Sequence, residues 1–193
     1  MPDHGEDIAL SALTVGAESH PVGTDDFPLL GSRALGVRRD ALCSVNAVAK
    51  GWLEAQTLRQ SVLGWPAGPA AGDTGALTRH LFVVDAAGES IGVVSFTPHP
   101  CPSRPGIRAT YLWGMAVRSD AQRVGHGTRL AKAVLEDARE TGAALVWADA
   151  RLTAVQFYQR LGAVPEGPTC IDDVTGLTDQ RVLFDLSNGS DKA

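Results

Sequence analysis

Apolar residues recur along the chain at two different periods, and the switch between them divides it into recognisable elements. The runs His80–Asp85 and Ser90–Phe96 are rich in β-branched and aromatic residues and flank a turn at Ala86-Ala87-Gly88-Glu89. Two such runs around a short glycine turn predict a β-hairpin. The proline-studded segment Pro98 to Pro105 cannot sit inside a sheet and reads as a loop. Arg108–Val117 is a third strand. The period then changes. Gly127, Leu130, Ala131, Val134, Leu135 and Ala138 share one stripe, with Arg129, Lys132, Glu136, Asp137 and Arg139 between them. This pattern predicts an amphipathic helix with one face on a sheet, stopped by Gly142. Ala144–Ala148 is short and nearly all apolar, as a central strand covered on both faces should be. Thr153 is placed to cap a second helix with Ala154, Phe157, Tyr158 and Leu161 on one stripe, ended by Gly162. Gln180–Leu186 supplies the last strand.

Upstream the pattern is weaker. Residues 1–30 mix Gly, Pro, Asp and small residues without periodicity and read as a loose arm. A short strand is expected over Ser32–Leu42. A helix capped by Ser44 then runs to about Leu63, followed by a loop over Gly64–Thr78. The expected organisation is one mixed α/β domain over 31–187 around a central sheet, with a disordered tail at 188–193.

Composition narrows the function classes. A chain of 193 residues suits one domain, and 44% hydrophobic with 20% charged residues is ordinary for a soluble globular protein. The net charge is −5, the pI is near 5.5, and there is no lysine or arginine run. A nucleic-acid surface needs concentrated positive charge, so that class is set aside. Cys43, Cys101 and Cys170 are odd in number and far apart, matching neither a zinc spacing nor a disulfide framework. Few histidines and no spaced cluster give no support for a metal. The acidic start Met1–Asp7 is followed by no apolar core, and no apolar run reaches membrane length, so a cytoplasmic protein is expected.

The stretch that carries chemistry runs from Met115 to Thr128. A strand ends, a polar turn follows, and a loop with Gly125 and Gly127 opens the long helix. Such a loop aims backbone N–H groups at one point, and the helix N-terminus adds positive partial charge. That geometry suits a pyrophosphate. A Walker loop fails because Thr128-Arg129, not Lys-Ser/Thr, follows Gly127. A dinucleotide fingerprint fails because Leu130 stands where a third glycine is needed.

Gln122-x-x-Gly125-x-Gly127 after Met115-Ala116-Val117 resembles the acetyl-CoA signature of the GNAT superfamily of N-acetyltransferases. Ala154-x-x-Phe157-Tyr158-x-x-x-Gly162 is similar to its second signature, about thirty residues on and one strand away. The resemblance spans roughly Ala41 to Leu186. It implies the GNAT fold, whose parted strands hold the pantetheine arm. Met115, Ala116 and Val117 would then meet the arm. The amides of Arg123, Val124, Gly125, His126, Gly127 and Thr128 would hold the pyrophosphate, with Gln122 of the motif also in the cofactor site. Tyr158 would protonate the departing thiolate. Acetyl-CoA would be co-substrate, a small primary amine the acceptor, and dimerisation a family habit.

The sequence also departs from that pattern. Arg151 stands in place of the common Asn before the second helix, and either contacts a CoA phosphate or lies at the surface. Ala163 replaces the usual Phe. The histidine loop of near relatives reads Gly176-Leu177-Thr178-Asp179-Gln180-Arg181 here. No general base is therefore assigned. Asp149, at the end of the central strand, is the candidate; its other reading is a solvated or capping carboxylate. His126 is expected to face solvent and contribute only its N–H. His80 and His99 read as strand-end or surface residues, and Trp113 and Trp147 as core aromatics or the floor of an acceptor pocket. The alternatives to a small-molecule enzyme are a non-catalytic acyl-CoA-binding protein and a protein or peptide acetyltransferase.

Overall fold

The computed structural model describes residues 47–187, which fall within one compact unit of the chain, Leu42–Ala193. The expected arm at 1–30, the strand at 32–42, the C-terminal tail and Cys43 lie outside them. Seven strands form one mixed sheet in the order β1-β2-β3-β4-β5-β7-β6. In chain order the elements are β1 (Ala47–Ala49), α1 (Trp52–Leu63), β2 (Arg79–Val84), β3 (Ser90–Pro98) and β4 (Ala109–Val117). They continue with α2 (His126–Glu140), β5 (Leu145–Arg151), α3 (Leu152–Arg160), β6 (Val164–Ile171) and β7 (Thr178–Asp185).

The predicted stripe of α2 is the one that packs: Leu130, Ala131, Val134, Leu135 and Ala138 are all buried. They meet Val94, Phe96, Leu112, Val146 and Val182 from the sheet and Tyr158 from α3. Leucine at 130 and valine at 134 are fully buried, the kind of site where truncation to alanine costs about 2–5 kcal/mol. α1 covers the other face, with Ala55 and Leu58 against Phe82, Val93 and Ala116.

Four expectations need correction. The residues expected to begin the first helix instead pair with β2 as β1, and Gly51 takes the N-cap place of α1. Thr153 is not a cap, because α3 follows β5 directly and Arg151 occupies that position without a side-chain cap bond. β3 runs on to Pro98, paired with Thr110, so the loop begins later. β6 went unpredicted because Pro165, Gly167 and Pro168 break its pattern. It is the sheet's edge, mostly exposed, where a missing N–H is tolerated.

Beneath α1 lies a buried polar network. Arg59 is fully buried, its Nη1 donating to both oxygens of Asp73 at 2.8 and 2.9 Å and its Nη2 to Ser95 Oγ. Trp113 Nε1 also donates to Asp73, at 3.3 Å. His80 Nε2 lies 3.0 Å from the Asp73 carbonyl and Nδ1 2.5 Å from Ser95 Oγ. A carbonyl only accepts, so Nε2 carries the proton and Nδ1 accepts from the Ser95 hydroxyl. The network is satisfied with His80 neutral, and burial holds its pKa below the ordinary 6.5.

A folded-state value below the unfolded one means that the unfolded chain binds the extra proton first. The contribution of His80 is therefore complete above about pH 6.5 and is lost as pH falls through the lower folded value. Thermal unfolding scans should show a steeper fall in Tm from pH 7 to 5 for the wild type than for His80→Gln, whose amide reproduces both hydrogen bonds. Parallel pH profiles would show that His80 is not the group responsible.

Candidate functional site

β4 and β5 are parallel neighbours, but they pair only over Ala109–Tyr111 and Leu145–Trp147. Beyond that the strands part, and the backbone of Leu112–Val117 has no strand partner on that side. A bulge in β4 shapes the opening. Trp113 pairs with Ser95 and Ala116 with Val93, so Gly114 and Met115 together oppose one residue of β3. Gly114 adopts a φ of +57°, a region where a Cβ is costly. The extra residue reverses the facing of the rest of the strand. Met115 and Val117 turn toward the α2 side, while Ala116 is buried against α1.

Met115 and Val117 thus form one wall of a cleft of about 640 Å³. Thr153, Ala154, Phe157, Tyr158 and Arg160 of α3, with Leu161 at its end, form the other wall, and the loop into α2 closes the mouth. After Val117 a 3-10 turn at Ser119–Ala121 leads to Gln122, whose Nε2 donates to the Val117 carbonyl at 2.9 Å and pins the loop to the strand. Arg123 and Gly125 are both left-handed, at φ 63° and 94°, so the chain curls before the helix. The first helical bond here runs from Arg129 N to Gly125 O. The amides of His126, Gly127 and Thr128 therefore have no helical acceptor and point, with the helix dipole, at the cleft.

Among the described residues the lining carries Arg123 and Arg160 and no carboxylate. In a chain of net charge −5 this is a local reversal of sign, suited to a polyanion. Gly127 faces Phe157 and Met115: a Cβ there would be in van der Waals contact, 3.4 Å from the Phe157 ring and 3.9 Å from Met115 Sδ, leaving no room for further carbons on that side. Val124 is exposed on the outside of the loop. His126 departs from expectation: it is half-buried, and its Nδ1 is shielded without a hydrogen-bond partner.

Tyr158 is buried, its ring edge-on to Phe157 at 5.0 Å and to Phe184 at 6.2 Å. Its hydroxyl makes no hydrogen bond to the described residues. Burial, and then the nearby Tyr111 phenol, push its pKa well above the ordinary phenol value, so it carries its proton throughout the neutral range.

Asp149 and Arg151 do not line the cleft. They alternate with Ala148 and Ala150, which face α2 and α3, and so lie on the opposite face of β5. Asp149 accepts from Arg181 Nε and Nη2 at 3.0 and 3.2 Å. Arg151 donates to Asp179 and to Thr175 Oγ1, both at 2.6 Å. On this face Trp147 and Trp113 are buried and stack on either side of Tyr111, at 4.2 and 5.3 Å between ring centroids. Burial and the neighbouring carboxylates raise the Tyr111 pKa to about 12. Arg181 covers the Trp147 ring at 5.0 Å. Residues that sequence reasoning missed are Arg160, in the cleft wall, and Arg181. Arg160 falls on an unspecified position of the second signature and Arg181 at the end of the segment 176–181, so only the folded arrangement distinguishes them from other surface arginines.

A mixed sheet with a parted parallel pair, and a glycine loop opening a helix at its mouth, is an acyltransferase framework. The family model of the Acetyltransferase (GNAT) family matches residues 52–163, and the chain belongs to that family. None of the curated proteins compared matches it. Among solved structures, FeeM, an N-acyl amino acid synthase from uncultured soil microbes, is similar at a TM-score of 0.60 and 12% identity, over 70% of this chain and 90% of that one. The NatC complex bound to Gag peptide and CoA gives a TM-score of 0.59 at 13% identity, over 72% and 98%. An aminoglycoside 6′-N-acetyltransferase complexed with coenzyme A gives 0.54 at 15%, over 69% and 89%. These likenesses concern the fold.

The packing at Gly127 yields an expected outcome. Gly127→Val puts branched carbons against Phe157 and Met115 at the cleft floor. Acetyl-CoA affinity measured by calorimetry should fall at least tenfold, about 1.4 kcal/mol, in a protein whose circular dichroism remains native. Unchanged affinity in such a folded variant removes the loop from the binding site.

Proposed function

We propose that the protein transfers an acetyl group from acetyl-CoA to a primary amine of a small molecule by direct attack. The observation that carries this reading is the cleft itself: an unpartnered strand edge, a buried protonated phenol and a cationic loop meet in one opening. The pyrophosphate is assigned to the amides of Arg123–Thr128, with Arg123 and Arg160 beside it, and the pantetheine arm to the free edge of β4 at Met115–Val117. A β4 amide there polarises the thioester carbonyl. The neutral amine adds to the carbonyl carbon, the C–S bond breaks, and sulfur takes its proton from Tyr158. The amine's own proton leaves to water or a base on the acceptor side. Fixing the long CoA handle supplies the entropic part of the acceleration. Asp149 is the base candidate only if Arg181 is displaced by the acceptor, and the pairing of Arg151 leaves CoA contact as its secondary reading.

A small acceptor is favoured by the loop between β3 and β4. Cys101 from this loop is buried among Leu145, Trp147 and Leu183, and Arg104 bridges to Glu166 of β6 at 2.5 Å. The loop therefore lies across the face where an extended peptide would need a groove.

Release of CoA thiol from acetyl-CoA, followed across a panel of small amines and peptides, tests the reading. Turnover with a small amine supports it. Tight acetyl-CoA binding with no turnover on any acceptor would instead indicate a non-catalytic binder, and turnover on peptides alone a peptide acetyltransferase. Tyr158→Phe keeps the ring and deletes the hydroxyl. We expect kcat to fall by about 10² or more, with acetyl-CoA affinity within a few-fold. Undiminished kcat would make the tyrosine structural.

A further inference from the structure

Full burial of a guanidinium is uncommon, and Arg59 is placed against the bulge of β4. Its Nε donates to the Gly114 carbonyl at 3.0 Å. The fit is reciprocal: a Cβ at position 114 would lie 2.4 Å from Nε and 2.7 Å from Cζ, so the arginine occupies the space that glycine leaves. We propose that Arg59 is a positioning residue for acyl transfer, holding the bulge that directs the Met115–Val117 backbone into the cleft. The proposal rests on the acyl-transfer reading above.

Three observations support it. The bulge decides facing: in an unbulged strand Met115 and Val117 would project toward α1, and the arm would meet a different set of amides. Arg59 is also anchored independently of β4. Asp73 takes Nη1 from the loop after α1, Ser95 takes Nη2 from β3, and Trp65 lies 5.3 Å beneath the guanidinium. A donor fixed by three residues, two from the loop after α1 and one from β3, holds the carbonyl in one place. Lastly, a buried ion pair is an inefficient route to stability, since apolar side chains fill such volumes at lower desolvation cost. What it supplies here is direction, because a charge-assisted bond to one carbonyl is far more orientation-dependent than apolar packing.

Arg59→Lys keeps a cation for Asp73 but has no Nε–H for the bulge. Gly114→Ala drives a Cβ into the guanidinium and tests the same contact should the lysine variant fail to fold. In each, kcat should fall at least tenfold and by a larger factor than acetyl-CoA affinity, because the loop assigned to the pyrophosphate is untouched. Amide exchange at Met115–Val117 should quicken about tenfold in the unliganded protein. Arg79→Lys, which weakens the Arg79–Asp137 pair between β2 and α2, is the control and should lower Tm without changing kcat. Variants that lose only Tm, keep full kcat or show unchanged exchange at Met115–Val117 overturn the proposal. A wild type that neither binds acetyl-CoA nor turns over fails the acyl-transfer reading itself, and this proposal falls with it. Full wild-type turnover with unaffected variants fails this proposal alone.

Discussion

Two parallel strands that pair for three residues and then separate leave a row of backbone groups with no protein partner, and the rest of the molecule is arranged around that break. Unpaired backbone in a sheet is costly unless water or a ligand satisfies it, so the surroundings must hold the strands apart. α3 does so from below. It leaves β5 without an intervening loop, and Phe157 and Tyr158 fill the space beneath the opening. The bulge at Gly114 does so from the side, turning β4 away from the line that Ala109–Tyr111 follow beside Leu145–Trp147 of β5. β7 then completes the hydrogen bonding of β5 on its other edge along the whole strand, so β5 remains fixed where β4 has left it.

Much of this was legible in the residues. The α2 stripe, the hairpin, the glycine loop and the Phe157-Tyr158 pair each rest on a local pattern, and the structure brings the last two together with Met115 and Val117 in one cleft. Local pattern failed where the determining contact is distant. Ala47–Ala49 has helical company downstream, but a free edge of β2 captures it as a strand. β6 carries two prolines and a glycine and becomes a strand because β7 offers a partner and its other edge needs no donor. Asp149 sits where a base could stand, yet Arg181, thirty-two residues away, claims both oxygens. The bulge was invisible for the same reason: the side chain that bonds its carbonyl is Arg59, fifty-five residues upstream of Gly114 in a helix with little apolar periodicity.

The distribution of charge explains how an acidic chain can present a site for a polyanion. Several of the acidic groups near the sheet are matched by arginine: Asp73 by Arg59, Asp137 by Arg79, Asp149 by Arg181, Asp179 by Arg151 and Glu166 by Arg104. Each pair is nearly neutral from a distance. The cleft differs because Arg123 and Arg160 have no carboxylate beside them in its lining. Screening acts over about 8 Å at physiological salt, so an approaching phosphate responds to the groups within that range, not to the net charge of the chain. The described lining offers two guanidinium groups and three amides at a helix N-terminus, and their sum is positive. Pairing the acids elsewhere is thus part of how the cleft works, since a free carboxylate on a neighbouring strand would cancel a field that only a few groups create.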